Sequence, residues 1–524
     1  LIRTVAQEAL AARREVLVVG GYIRDVLTLR KTNDADFVVD RDTPAFARRV
    51  AARVRGRIIK LDELNGIYRV VVKRGGEFYN LDFSRLRGKN MLADLSRRDF
   101  TVNAAAVRAA DALSFTASRD TGLLIDPFGA ARDINHGIIR SIRESNFVED
   151  PLRLIRAFRF KAQLGFCIEK RTLAQIRKHA RLIVRPAKER VRDELIKIFS
   201  SGRSPEIVEE MDACGLLASI FPEIAAMKKS ARKFYYHPKG LFQHALETLG
   251  RANEIIVHPG MFFPEVKEQF AAYVAGREWL IRFVSLMHDL AKPYTVKRIK
   301  GKVRFFGHEE LGGKNISKIM ERMRFSMKER RFAKHLVENH MRPGNLSQAG
   351  VTAGAAMAGA MPTPKAKYRF FRDLGDESAD ILALALADRL SYIRISKKPR
   401  EITGFREFAR KMVRDFFIHK KRTSRPRLVD GHMLMDYLGL EPGPAVGELL
   451  RIIEQAHHLG RVNTAEAALA LAKKRVKAVM KKTAAGNRAR QALLEILGKQ
   501  SLCTKSIRKV RFPARKAGQV ASKT

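Results

Sequence analysis

Asp34 and Asp36 stand two residues apart at the head of the apolar stretch DADFVVD. On a strand that spacing puts both carboxylates on one face, close enough to share metal ions. Divalent ions held in this way activate a 3′-hydroxyl and neutralise a leaving pyrophosphate. Upstream, VLVVGGYIRD places Gly20 and Gly21 directly after an apolar run. Lacking side chains, they let a triphosphate approach backbone N–H groups at the start of the next helix. Arg24, one turn in, can point its guanidinium at the same phosphates. Either motif alone reads as an ordinary βα turn or a polar strand end. Together, in this order, they point to nucleotidyl transfer.

Three further stretches carry related chemistry. In LDF, Asp82 is a candidate third carboxylate beside the first pair, or an edge-strand acid facing water. In SRRDFTVNAAAV, Ser96 is expected to cap a helix that places Arg98, Asp99 and Asn103 near one face. Such a trio can hold a ribose hydroxyl and phosphate oxygens; the plainer alternative is a surface helix with an internal salt bridge. In EDPLRLIRAFRF, Asp150 is expected at an N-cap and Pro151 at the first helical position. Asp150, Arg153 and Arg156 then share a face, while Leu152, Ile155 and Phe158 serve another. An Arg donor and an Asp acceptor match the pairing edges of cytosine and adenine but not those of uracil and guanine. A capped helix with a basic outer face accounts for the same residues.

A second set lies further on: His244, the adjacent His288 and Asp289, then His308, His340 and Asp388. Single histidines on apolar helices are usually packed or hydrogen-bonded. An ordered set mixing imidazoles and carboxylates suits a transition metal or magnesium.

The elements that must position these groups change character along the chain. Residues 1–140 alternate strand and helix signals and read as a small mixed sheet with helices, with turns at Asn65-Gly66 and Gly75-Gly76. From about residue 141 the chain is mostly helical, so the expected class is α+β: a catalytic head (1–140), a helical neck (141–228), a helical bundle (229–400), a helical tail (401–474) and a basic, flexible extension (475–524). Residues 349–365, rich in Ala, Gly and Pro, read as a loop, with helices resuming near Ala366. With 101 basic against 55 acidic residues the net charge is +46, which favours a polyanionic partner. No apolar run approaches a membrane span, no signal-peptide pattern opens the sequence, and Cys167, Cys214 and Cys503, odd in number and far apart with no zinc spacing, read as free, buried thiols. The expected setting is cytoplasmic.

GGYIRD, DADFVVD, RRDFTVNAAAV, DPFGAARD, EDPLRLIRAFRF and PAKERVRDELIKIF, taken in order, resemble the successive motifs of bacterial class II CCA-adding tRNA nucleotidyltransferases and poly(A) polymerases. The resemblance implies a polymerase-β-like head, with Asp34 and Asp36 holding Mg2+ and Gly21, Arg24, Arg98, Arg153 and Arg156 gripping CTP or ATP for addition to tRNA. Only about ten residues separate LDFSRL from SRRDF, where many members carry a longer loop that helps the pocket switch from C to A. The histidine set resembles the HD-domain phosphohydrolases. That likeness implies a divalent metal of unspecified identity on His244, His288, Asp289 and Asp388, with Lys292, His308 and His340 for phosphate or a second ion. The rival readings are a CC-only or poly(A) enzyme on the same scaffold, an HD phosphohydrolase with an RNA-binding head, and a non-catalytic RNA-binding protein.

Overall fold

The computed structural model describes residues 1–62, 66–230, 239–300, 302–352, 361–396, 399–423, 428–458 and 460–484. The chain forms two compact units, one of residues 1–363 with 370–417 and the other of 364–369 with 418–524.

The first unit begins with a six-stranded sheet: β1 (Val16–Val19), β2 (Asp34–Val39), β3 (Arg57–Asp62), β4 (Ile67–Arg74), β5 (Glu77–Arg85) and β6 (Ala106–Arg108), in the order β3-β4-β5-β2-β1-β6. β2 runs parallel to β5 and antiparallel to β1. β-Branched and aromatic residues fill these strands because they suit a pleated, half-buried surface. Strand β4 shows this, with Tyr68, Val70 and Val72 buried at alternate positions. The helix Thr43–Val54 covers the sheet through Phe46, Ala47 and Val50, and Phe46 meets Phe83 edge-on at 5.7 Å, itself stacked on Phe37 at 5.0 Å.

From Arg153 onward a continuous apolar core joins the helices Arg153–Leu164, Lys188–Ser200, Leu241–Val257, Glu278–Met287 and Ser378–Ser391. Phe199 against Phe283, at 5.5 Å, is one contact within it. Ile402, Phe405, Phe408, Met412 and Phe416 of the helix Pro399–Thr423 belong to the same core, so the compact unit continues past residue 400. The second unit has its own core, in which Leu434, Leu449, Ile453, Leu469 and Ala472 come from the helices Gly431–Leu438, Pro444–His458 and Ala465–Ala484.

Several sequence expectations are corrected in detail. Ser96 ends the helix Met91–Ser96 and starts none; Asn90 caps that helix by accepting from the Ala93 N–H at 3.0 Å, and only a 3₁₀ turn, Thr101–Asn103, follows. The neck helix begins at Arg153, not Pro151, after a 3₁₀-type turn in which the Arg153 N–H reaches the Asp150 carbonyl. Asp150 still does capping work, its Oδ1 accepting the Leu152 N–H at 3.2 Å. The helix Arg342–Thr352 runs into the stretch expected as a loop, and the next helix starts at Pro364. The last helix continues to Ala484, beyond the expected end of the tail, because alanines favour the helix and Val476 packs on the second core. The basic segment from residue 485 on, Cys503, Asn65 and residues 353–360 lie outside the described residues.

Candidate functional site

Gly20 leaves β1 with φ +72° and ψ −132°, a conformation that essentially only glycine adopts. The turn brings the backbone at Gly21 close to the Asp36 carboxylate on β2. A Cβ added at Gly20 would lie 3.0 Å from an Asp36 oxygen and 3.0 Å from the Arg98 guanidinium. The glycine pair, one aspartate and one arginine of the sequence reading therefore meet at one point. Burial pushes Asp36 up from the ordinary carboxylate range, Arg98 opposes it, and Asp82 and Asp34 add repulsion. A carboxylate under that strain gains from a cation, and the donor set of Asp34 and Asp36, all oxygen, suits a hard divalent ion.

Asp82 lies directly across from Asp36 in the parallel register, on an interior strand rather than an edge. Both its oxygens are taken by Arg69, each at 2.7 Å, a fork-to-fork pair. Asp34 accepts from Asn80 Nδ2 at 2.8 Å. Neither Arg69 nor Asn80 was singled out from the sequence, because both reach the site only through strand register.

A hydrogen-bonded chain leads away from the glycine turn. Arg24 Nη1 donates to Asn103 Oδ1 at 2.7 Å, Asn103 Nδ2 donates to Asp99 Oδ1 at 3.1 Å, and Asp99 Oδ2 accepts from Arg156 Nε and Nη2 at 2.9 and 2.6 Å. Burial opposes charge on Asp99, but Arg156 and Asn103 outweigh it and hold the acid well below its ordinary range. Arg156 is thus tied to the head rather than simply exposed on its helix. Arg153 donates to the carbonyls of Asn146 and Arg97 at 3.0 and 2.6 Å, and Asp150 Oδ2 pairs with Arg190 at 3.1 Å. Next on the same helix, Arg159 makes an ion pair with Glu194 at 2.7 Å and sits 3.8 Å over the Phe160 ring. A three-residue continuation of the Arg153, Arg156 series was its only sequence signal.

The second cluster is buried. His244 Nε2 lies 3.2 Å from Asp289 Oδ2 and 3.3 Å from Asp388 Oδ1; His288 Nε2 lies 3.3 Å from the same Asp289 oxygen. On its other side Asp289 Oδ1 is 3.5 Å from His308 Nε2 and 3.7 Å from His340 Nε2. Each imidazole is fixed from behind. Nδ1 of His288, His308 and His340 meets the carbonyl of Ser285, Phe305 and Val337 at 2.9, 2.7 and 2.7 Å. Ser391 donates to the Asp388 carbonyl, so its oxygen accepts from His244 Nδ1 at 3.0 Å. With Nδ1 donating, the Nε2 atoms of His288, His308 and His340 turn their lone pairs inward, the arrangement of metal-ligating histidines. Burial opposes charge on His244, but the Asp289 and Asp388 carboxylates that its Nε2 faces outweigh it and push its pKa up. Among the described residues the Nε2 atoms of His288, His308 and His340 and Asp289 Oδ1 have no hydrogen-bond partner.

Two overlapping groups could therefore hold cations, His244 with His288 and Asp289, and Asp289 with His308 and His340. Burial, with His288 beside it, pushes His340 down to about 3, so that it stays neutral and ready to ligate. Lys292 pairs with Asp289. Asp388 lies closest to His244, and burial of its carboxyl is outweighed by that histidine, which holds its pKa low.

Both groups of residues fall within regions that match known protein families. The profile described as the Poly A polymerase head domain matches residues 16–140, that of the probable RNA and SrmB-binding site of polymerase A matches 165–228, and that of the HD domain matches 241–393. An A-adding tRNA nucleotidyltransferase of Deinococcus radiodurans is 31% identical over 463 residues, 86% of this chain and 94% of that one. A CC-adding tRNA nucleotidyltransferase of Thermus thermophilus is 30% identical over 468 residues, covering 87% and 93%. The Thermotoga maritima CCA-adding enzyme complexed with tRNA has the same fold, with a TM-score of 0.61 at 22% identity over 91% of this chain and 95% of that one. No helix among the described residues is long and apolar enough to cross a membrane. The chain belongs to the tRNA nucleotidyltransferase family, with a poly(A)-polymerase-type head and an HD domain.

Proposed function

We propose that this chain extends the 3′ end of tRNA in the cytoplasm with C and A residues, CCA or part of it, taken from CTP and ATP. The single observation that carries the reading is the meeting of Gly20, Asp36 and Arg98 at the end of β1. Asp34 and Asp36 would hold Mg2+, which supplies activation of the attacking hydroxyl and charge neutralisation at the phosphates. Gly20 and Gly21 keep side chains out of the space a triphosphate needs, while Arg98 and Arg24 offer guanidinium donors on the same side. Asp99 and Asn103 orient Arg24 and Arg156. Asp150 and Arg153, at the start of the neck helix, would read the base edge as acceptor and donor. The basic neck and tail supply the nonspecific grip on tRNA phosphates. The relatives named above divide between A-adding and CC-adding enzymes, so the product is the point to test. Full-length protein given tRNA that lacks its terminus and one labelled nucleotide at a time should add two Cs and then one A. Growth by C alone or by A alone assigns it half of that reaction, long A tracts on any RNA make it a poly(A) polymerase, and no addition refutes the reading.

The HD cluster favours a second activity. Its inward Nε2 atoms around Asp289 suit divalent ions that would support phosphoester hydrolysis, with Lys292 beside Asp289 to hold a phosphate oxygen. Metal-dependent release of p-nitrophenol from p-nitrophenyl phosphate, lost in His288→Ala and kept in Asp34→Ala, tests it.

A further inference from the structure

Between the ligand pair His288–Asp289 and the ligand His308 the chain leaves the bundle as a β-hairpin. Its strands are Lys297–Ile299 and Lys302–Arg304, paired antiparallel with Arg304 opposite Lys297 and Val303 opposite Arg298. Residues 290–308 contain Lys292, Lys297, Arg298, Lys300, Lys302 and Arg304 and no acid. Like charges set directly across a strand pair repel, so the Lys297–Arg304 pairing costs the hairpin stability unless an anion lies between them.

Charge along an edge can also serve only to prevent strand pairing between chains. That purpose does not account for the large side chains that flank it. Tyr294 and Phe306, one at each root of the hairpin, are 58% and 65% exposed, and Val296 and Ile299 are exposed as well. Basic side chains interleaved with open aromatic faces make the surface on which single-stranded nucleic acid binds, phosphates on the cations and bases stacked on the rings. An acidic lipid surface would use the charge but would leave no reason for the attachment point. Both roots end in the metal cluster: Lys292 pairs with Asp289, its ammonium lies 5.7 Å over the Phe305 ring, and His308 follows within three residues of that ring.

We infer that this hairpin holds a single-stranded RNA segment and presents its phosphorylated end to the HD cluster. The inference rests on reading that cluster as a phosphoester site. It assigns the cluster an oligonucleotide terminus as substrate class, in place of a free mononucleotide.

The test uses the full chain and a short oligouridine RNA carrying 4-thiouridine next to a 3′-phosphate. After irradiation and digestion, crosslinks are expected in the peptide spanning Lys292 to His308. The doubly reversed variant Lys297→Glu, Arg304→Glu should lower that crosslink about fivefold or more, while crosslinks elsewhere and CMP addition to tRNA stay as in the wild type. Phe306→Ala, which leaves the charge unchanged, should lower it by a smaller factor. Absence of crosslinks in that peptide, or an undiminished yield in the charge-reversed variant, overturns the inference. So does cosedimentation with phosphatidylserine vesicles that the same variant abolishes while RNA crosslinking is unaffected. Hydrolysis of p-nitrophenyl phosphate reports on the cluster alone, so a dead cluster with an intact crosslink refutes the phosphoester reading and leaves the RNA surface standing.

Discussion

Gly20 and Asp36 are in contact across the β1–β2 pair: the position a Gly20 Cβ would take is 3.0 Å from the aspartate oxygen. The backbone at Gly20 has φ +72°, so any other residue is strained there before its side chain meets the carboxylate. Gly20→Ala is expected to cost about 2 kcal/mol of stability and to lower nucleotide addition by about a hundredfold or more. Urea denaturation and single-turnover incorporation measure the two effects. Wild-type incorporation in the variant would remove the glycine turn from the site.

Asp99 joins the head to the neck through Arg156. Asp99→Ala leaves the half-buried Arg156 guanidinium without its carboxylate and should cost about 2 kcal/mol. The pH dependence follows from the lowered pKa of Asp99. Its charged form contributes stability that is fully present above its unfolded pKa, near the usual ~4, and that is lost as pH falls from there toward the folded value. The stability gap between wild type and Asp99→Asn should therefore be full at pH 6 and shrink on acidification below about pH 4. Denaturation curves across that range check it; a gap independent of pH would mean that the fold leaves the Asp99 pKa where the unfolded chain has it.

Asp150 is held by Arg190 at 3.1 Å and by the Leu152 N–H. If it reads the base, Asp150→Ala should erode the preference for CTP over UTP by about tenfold or more. Arg190→Ala should do so to a smaller extent by loosening the same carboxylate. Competition between labelled CTP and UTP on truncated tRNA gives the ratio, and an unaltered ratio in Asp150→Ala ends the templating argument.

Asp289 is shared by both groups of the HD cluster. In an Asp34→Ala, Asp36→Ala background, His308→Ala should abolish one class of metal binding and spare the other, while Asp289→Ala should abolish both. Titration calorimetry with Mn2+ after chelator treatment separates the cases. Equal loss in the two variants would make the cluster a single site.

Cys167 is exposed, against the expectation of buried thiols, whereas Cys214 is buried as expected, donates to the Met211 carbonyl, and has its thiol pushed up to about 11 by burial. At pH 8 iodoacetamide should label Cys167 in the native protein, and Cys214 only after unfolding. Peptide mapping reads each position separately, and rapid native labelling of Cys214 would contradict its packing.

The sequence made the glycine turn and the aspartate pair legible because both are local: strand alternation alone puts Asp34 and Asp36 on one face. The histidine set was legible as an ordered series, yet the sharing of Asp289 was not, since it depends on how helices carrying His244, His288, His308 and Asp388 pack. Arg69 was invisible for a different reason. Its claim on Asp82 follows from strand register, which assigns partners that no spacing along the chain records. The helix start expected at Ser96 failed because that serine is the last residue of a helix that Asn90 caps, and only a 3₁₀ turn follows it. Arg159 and Glu194 lie on separate helices, and their ion pair has no local signature.

The bonds that run from Arg24 through Asn103 and Asp99 to Arg156 make a strut between the part of the protein that would meet a nucleotide's phosphates and the helix that would meet its base. A strut fixes a span. The incoming nucleotide would be measured end to end by one calliper of constant opening, and a change that slackens any joint of the strut should blur phosphate placement and base choice together.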